Sequence, residues 1–328
     1  MTKKRYNFLM SKRFFCFMAI FALTAVIAPA EEEIREIIPC NRVLVLQRGP
    51  WNDNLTVIDA GPSLIMVDTW SSPRAAEKAR GIIEQRFHKP VSHVINTHHH
   101  WDHSFGNQVF VGALIFGHEY CVTDMIKEYS SPASRAQALE YTGSLKELEP
   151  AKRYKDSVRK DIEKDFQLTP PAHLVGDRET FASGDLTCKL YHVPGLHTRS
   201  NLTIFIPELG LLFTRREFNG QELPILREGI DLDKLIGSLE DILAGGKPLK
   251  FILAGHYQPI ADPDLRPALN YLKILKARVR KFRLAGRTLE ELQAADAIAP
   301  FPELKKNLAG HLANLEIVWK EYPLDRHP

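Results

Sequence analysis

Apolar and polar positions alternate in short runs through the first part of the chain and settle into helical spacing toward its end. Strand-like runs cover Arg42 to Leu46, Asn54 to Asp59 and Ser63 to Thr69, with Ala60-Gly61-Pro62 as the turn between the last two. Pro73 opens a helix capped by Ser72, with Ala75, Ala76, Ala79, Ile82, Ile83 and Phe87 on one face. Val91 to Thr97 and Ala113 to Phe116 read as further strands, and 119 to about 166 as polar helix broken at Ser130-Ser131-Pro132. A second set of strands follows: Ala172 to Val175, Glu179 to Ala182, Leu186 to Val193, Asn201 to Ile206 and Gly210 to Thr214. Asp231 to Leu243 is an amphipathic helix and Lys250 to Ala254 a last buried strand. Helices over 264–284, 288–297 and 302–319 close the chain.

Two halves with the same strand-and-helix order predict two sheets packed face to face with helices outside. No repeat or low-complexity linker interrupts them, so residues 31–262 read as one domain. Within it 118–170 is a helical insertion covering one side, and 263–328 is a helical extension of the same domain.

Composition changes this picture little: 44% hydrophobic and 25% charged residues describe an ordinary globular protein with material for a large core. The first thirty residues stand apart. Lys3, Lys4, Arg5, Lys12 and Arg13 precede the apolar run Phe14 to Ile27, and Ala28-Pro29-Ala30 offers a small-x-small cleavage site. That pattern is a secretory signal peptide cut near Ala30, and its apolar run is short for a stable span of about 20 residues. It predicts a periplasmic or secreted protein without a membrane span after processing. The leader holds five of the 43 basic residues and none of the 40 acidic ones, so the net charge of +3 becomes −2 without it. Nothing in that balance points to nucleic acid. Cys40, Cys121 and Cys188 remain after the leader, with no CxxC. An oxidising compartment permits one disulfide of unassigned pairing, while the alternation around Cys188 suits a buried free thiol.

The chemistry concentrates at Asn96-Thr97-His98-His99-His100-Trp101-Asp102-His103, where a buried strand breaks into a loop. Imidazole nitrogens and carboxylate oxygens are the ligands that zinc and similar borderline metals prefer. In extended backbone alternate side chains share a face, so His98 and His100 can meet one ion while His99 turns away. Asp102 and His103 follow round the turn. Two more histidines sit just past strand ends, His197 in Val193-Pro194-Gly195-Leu196-His197-Thr198 and His256 in Ala254-Gly255-His256.

With these residues the sequence resembles the metallo-β-lactamase-fold hydrolase superfamily over about residues 41–262. The His-x-His-x-Asp-His signature is matched by His98, His100, Asp102 and His103, preceded by Asp68 in Ile65-Met66-Val67-Asp68-Thr69. The resemblance implies an α+β fold, a four-layer αββα sandwich with the metal site at one edge of the sheets. It also implies one ion on His98, His100 and His197, and a second on Asp102, His103 and His256. One departure bears on the second ion. The family's bridging Asp follows a strand spelled here Gly210-Leu211-Leu212-Phe213-Thr214, and Arg216 stands in its place. A guanidinium cannot ligate a cation and repels one nearby. Glu217 could take the role only after a one-residue slip that turns its side chain to the other face.

The resulting expectation is an exported hydrolase with one zinc per chain favoured and two possible, iron being a secondary candidate. Three neutral imidazoles leave zinc a position for water, whose pKa falls toward about 7, and the hydroxide attacks an ester, lactone, amide or β-lactam-type carbonyl. The catalytic candidates are Asp102, orienting the nucleophile, and Arg216, a fixed cation for the developing oxyanion. Asp68 is expected to hydrogen-bond the histidine loop, Trp51 and Trp70 to line the pocket or pack in the core. His118 is expected to cap a helix and Asn201 to fix the His197 loop or touch a small-molecule substrate. The competing reading is a non-catalytic or metal-binding descendant that lost activity with the bridging Asp.

Overall fold

The computed structural model describes residues 33–140, 149–295 and 307–321, so the leader expected over 1–30 lies outside the described residues. The first sheet orders seven strands as β1 (Arg35–Cys40), β2 (Val43–Arg48), β3 (Asp53–Asp59), β4 (Leu64–Val67), β5 (Val91–Ile95), β6 (Leu114–His118) and β7 (His173–Val175). Neighbours run antiparallel as far as β4 and parallel from there on. A parallel pair needs a crossover, and α1 (Pro73–Phe87) supplies it between β4 and β5. The second sheet runs β13 (Ile260–Ala261), β12 (Phe251–Leu253), β11 (Leu211–Phe213), β10 (Leu202–Ile206), β9 (Leu186–His192), β8 (Arg178–Ser183).

The sheets face each other because their strands are apolar on the inner face, and the first sheet's strands on the outer face as well. In β2, Val43 and Val45 join Ile204, Leu190 and Phe213 between the sheets, while Leu44 and Leu46 point to α1 and meet Ala76, Ala79 and Ile83. On the far side, α6 (Leu232–Ala244), α7 (Arg266–Leu284) and α9 (Leu308–Glu321) cover the second sheet, with Leu239, Leu272 and Leu315 at full burial. The result is the expected αββα sandwich. The 118–170 segment folds as α3 (Glu119–Tyr129), α4 (Pro132–Glu140) and α5 (Glu149–Asp165), which enclose Trp101 and Phe105 in a separate apolar cluster.

Ser72 caps α1 as its position suggests: its backbone is extended and its Oγ accepts from Ala75 N at 3.2 Å. The same hydroxyl donates to Asp161 of α5 at 2.9 Å, fastening the insertion to the crossover helix. Ser72→Ala should therefore cost about 1 kcal/mol or somewhat more. A denaturant midpoint indistinguishable from the parent's would refute that account of the cap.

The sequence pattern misses β1 and β13. β1 is a sheet edge, half exposed and carrying Pro39, and β13 is two residues long, so neither shows a clear period. It also reads residues 101–104 as a turn, where the structure has a short helix, α2 (Trp101–Ser104). Cys40, Cys121 and Cys188 are all free thiols, and burial pushes that of Cys188 up to about 12. Among the described residues no helix is long and apolar enough to cross a membrane.

Candidate metal centre

Four strand ends meet at one edge of the two sheets. β4 ends at Asp68, β5 leads into His98 and His100, the β9–β10 connection carries His197, and β12 runs out into Gly255-His256. The backbone is bent there to bring side chains inward: Asp68 and Trp70 both hold positive φ, +61° and +68°. Left-handed backbone at non-glycine residues costs roughly 1–3 kcal/mol each and persists where the surroundings enforce it. Here Asp68 N donates to Ile95 O and Thr69 N to His103 O, which lock β4 to the histidine loop.

The six side chains form two groups of three, each with its ligand atoms within 4.8 Å of one another: His98, His100, His197 and Asp102, His103, His256. In the first, His197 Nε2 lies 3.1 Å from His100 Nδ1. His98 Nε2 is buried there without a hydrogen-bond partner, its other nitrogen being 3.0 Å from Thr97 Oγ1. In the second, His103 Nε2 and His256 Nε2 are 3.2 Å apart, and Asp102 Oδ2 sits 3.3 and 3.4 Å from them. The rings of His98 and His103 are 4.3 Å apart, so the two groups adjoin. His99 turns the other way, to Ser200 and Glu128.

These contacts fit cations better than they fit each other. In each group two ring nitrogens face one another, 3.1 Å apart in the first and 3.2 Å in the second, and the first leaves a buried ring nitrogen unpartnered beside them, a donor set suited to a divalent ion. Burial and the neighbouring imidazoles hold His98 well below the usual histidine range. Burial likewise lowers His100 to about 4 against the pull of Asp102, and His197 to about 2. The first group is thus neutral at pH 7 with its lone pairs free. The second differs: burial alone would lower His103, but Asp102 and Asp68 overcome it and hold the ring well above its usual range.

Each histidine of the second group has a carboxylate behind it. Asp68 Oδ2 is 2.9 Å from His103 Nδ1 and its carboxylate also accepts from Thr97 N and Oγ1. Asp53 Oδ1 is 3.0 Å from His256 Nδ1. A carboxylate on Nδ1 fixes the tautomer that leaves Nε2 free for a metal. Asn201 accepts from the backbone N–H of His197 and Thr198, fixing that loop, and also lines the pocket. Sequence reasoning misses Asp53, because 203 positions separate it from His256 and nothing local distinguishes it from any strand-opening Asp.

Other candidates fall elsewhere. Trp70 is fully buried with its N–H donated to Asp53 O, and Trp51 packs edge-on against Trp101 and Tyr154. Neither lines the pocket, so the pocket-wall reading of both gives way to packing. His118 caps α3, its Nδ1 accepting from Tyr120 N, and its ring stacks on His192 away from both groups. Arg216 does border the pocket, but its guanidinium reaches Glu222 at 3.2 Å and lies over Tyr257. Glu217 is held by Arg215 through both oxygens. Burial would raise its pKa, but Arg215 keeps it below the usual carboxylate range, and it belongs to neither ligand group.

The cavity above the two groups measures about 220 Å³. Arg215, Arg216 and Arg227 are among its lining residues, as are Thr203 and Tyr257. Two sheets face to face, helices outside both and these six side chains at one edge make up a candidate divalent-metal centre. The family model of the metallo-beta-lactamase superfamily matches residues 48–214, just over half of the sequence. The chain belongs to that superfamily. Among solved structures it is similar to the stereoselective inverting sec-alkylsulfatase Pisa1 from Pseudomonas sp. (TM-score 0.59, 19% identity), covering 90% of this chain and 52% of that one. This chain thus spans about half the alkylsulfatase's length. It is also similar to a metallo-beta-lactamase from Pontibacter korlensis (TM-score 0.50, 15% identity), covering 74% of this chain and 99% of that one. No curated protein matches the sequence.

Proposed function

We propose that this protein is an exported, zinc-dependent hydrolase that cleaves an ester, lactone, amide or β-lactam-type bond in a small substrate bearing a negative charge. The observation that carries the reading is the pairing of two metal-ligand groups with arginines that line one small cavity. His98, His100 and His197 are the ligands for the first ion, and Asp102, His103 and His256 for the second. A bound ion supplies Lewis acidity and a water of lowered pKa. The chain's own groups do the rest. Asp102, the carboxylate of the second group, accepts and passes on the proton of the attacking water. Arg215 is tied to Glu217 and to Leu196 O, and Arg216 to Glu222, so they shape the wall and polarise it.

Arg227 differs from its neighbours. It is exposed, borders the cavity and, among the described residues, has no ion-pair partner. It also lies close enough to help depress the pKa of His197. A cation left without a counter-ion at the mouth of a site suits a substrate that brings its own anion. A carbonyl ester carrying a carboxylate fits this wall. A sulfate monoester is the second reading, favoured by the same arginines together with the fold shared with the alkylsulfatase.

The test is a panel of matched esters, lactones and a secondary alkyl sulfate, each in charged and neutral form, on zinc-loaded protein. Arg227→Ala should raise KM for the charged members by about 10-fold or more and leave the neutral ones unchanged, the loss of one charge-assisted hydrogen bond. An equal effect on both would refute the charge argument. Zinc-loaded protein that hydrolyses none of them would favour the non-catalytic descendant instead.

A further inference from the structure

The helical insertion reaches the metal centre through one side chain. Tyr154 of α5 is 1% exposed, and its hydroxyl donates to Asp53 Oδ2 at 2.5 Å. Ser71 Oγ, also buried, lies 2.8 Å from the same hydroxyl and donates to it, since the phenol's own proton is committed to the carboxylate. The ring is packed on by neighbours: Arg48 lies 5.2 Å over it, Trp51 meets it edge-on at 5.3 Å, and a Cβ at Gly49 would lie 2.9 Å from its Cε2, so the ring fills the space that the glycine leaves. Asp53 is wholly buried, and its second oxygen, Oδ1, stands 3.0 Å from His256 Nδ1. The two atoms meet as an ion-pair contact, and neither has a hydrogen-bond partner.

We propose that Tyr154 is a positioning residue for His256, acting through Asp53. A buried carboxylate with one oxygen committed to a phenol has its plane set, and the other oxygen then has one direction left to face. That direction is His256 Nδ1. With Asp53 facing Nδ1 the ring turns its Nε2 to within 3.2 Å of His103 Nε2 and 3.4 Å of Asp102 Oδ2. Burial first and then Asp53 hold the Tyr154 hydroxyl well above its usual range, so it remains a donor. The loop bearing His256 is placed by the same strand: Asn54 N donates to Gly255 O, Tyr257 N to Asn52 O, and Asn54 Nδ2 to Ala254 O. Backbone pairing thus sets where the loop lies, and the Tyr154–Asp53 pair sets how the ring turns within it. The insertion is therefore part of the second ligand group, a role independent of which bond the protein cuts.

The experiment compares Tyr154→Phe, which keeps the ring and deletes the hydroxyl, with Trp51→Phe, which disturbs the same packing and keeps it. Imidazole ¹⁵N spectra of the full chain read the His256 tautomer directly, and Co²⁺ titration reads each ion. Tyr154→Phe should shift the His256 ring signals toward a mixture of tautomers and raise the dissociation constant of the second Co²⁺ about 10-fold. The first Co²⁺ should bind as before, and Trp51→Phe should show neither effect. If the protein takes one ion, the ring signals alone decide. His256 signals unchanged in Tyr154→Phe, or both variants weakening both ions alike, would overturn the proposal.

Discussion

Asp102→Asn should lower hydrolytic kcat by about two to four orders of magnitude and strip the second ligand group of any ion it holds. Asp102 is the one carboxylate among the six candidate ligands, and its Oδ2 faces both His103 Nε2 and His256 Nε2. Burial would raise its pKa, but His103 in contact with it holds the carboxyl well below the usual range, so it is an anion at every working pH. The amide keeps the shape and removes the charge. It offers a weaker ligand, cannot accept the water's proton, and leaves His103 with Asp68 alone to balance it. The first group, whose three imidazoles are untouched, should keep its ion. Steady-state kinetics with metal analysis by mass spectrometry on the same preparation check both halves. A variant with parental kcat and parental metal content would remove Asp102 from the mechanism.

How far the sequence reaches is clearest at this residue. His98, His100, Asp102 and His103 fall within six positions after an apolar strand, so local backbone geometry alone brings them together. His197 and His256 are legible for a related reason: each follows a buried strand, and strand ends of packed sheets collect at an edge. The apolar periods likewise place most strands to within one or two residues, because burial on both faces leaves a dense apolar run. What stays illegible depends on partners far along the chain. Asp53 looks like any residue opening a strand until the fold sets it beside His256. Tyr154 looks like one apolar position of a polar helix until the fold brings its hydroxyl to Asp53. Arg227 lies in a loop with no pattern at all.

The arginines show how much a local rule leaves to the fold. The position after β11 invites Arg216 to be the cation facing the reaction. In the fold its guanidinium pairs with Glu222 and lies over Tyr257, while Arg215 holds Glu217 and Leu196 O. Both arginines lie past the end of β11, and Arg216 opens a short 3-10 turn over Arg216–Asn219, so the direction of each side chain is set by that turn and its ion pairs and not by the strand period.

Gly255→Ala should disrupt the second ligand group sterically while leaving every ligand in the sequence. A Cβ built at this position lies 2.3 Å from His103 Cε1 and 3.0 Å from its Nδ1. Contacts that short require movement, and neither side has a cheap one. His103 is 1% exposed and anchored by Asp68 at 2.9 Å, and Gly255 O accepts from Asn54 N at 2.8 Å in the link between the sheets. Overpacking of this kind costs about 1–3 kcal/mol, which for a domain of this size lowers the melting temperature by several degrees, at about 2–4 °C per kcal/mol. The larger consequence is local. If His103 yields, it leaves Asp68 and the 3.2 Å approach to His256 opens, and if the loop yields, His256 moves away from Asp53. Either way the second group loses any ion it holds while the first group keeps its own, which thermal melting and metal analysis distinguish from general unfolding. A variant that melts with the parent and binds metal as the parent does would show that the His103 ring can move aside without cost, against the tight packing on which this reading of the site depends.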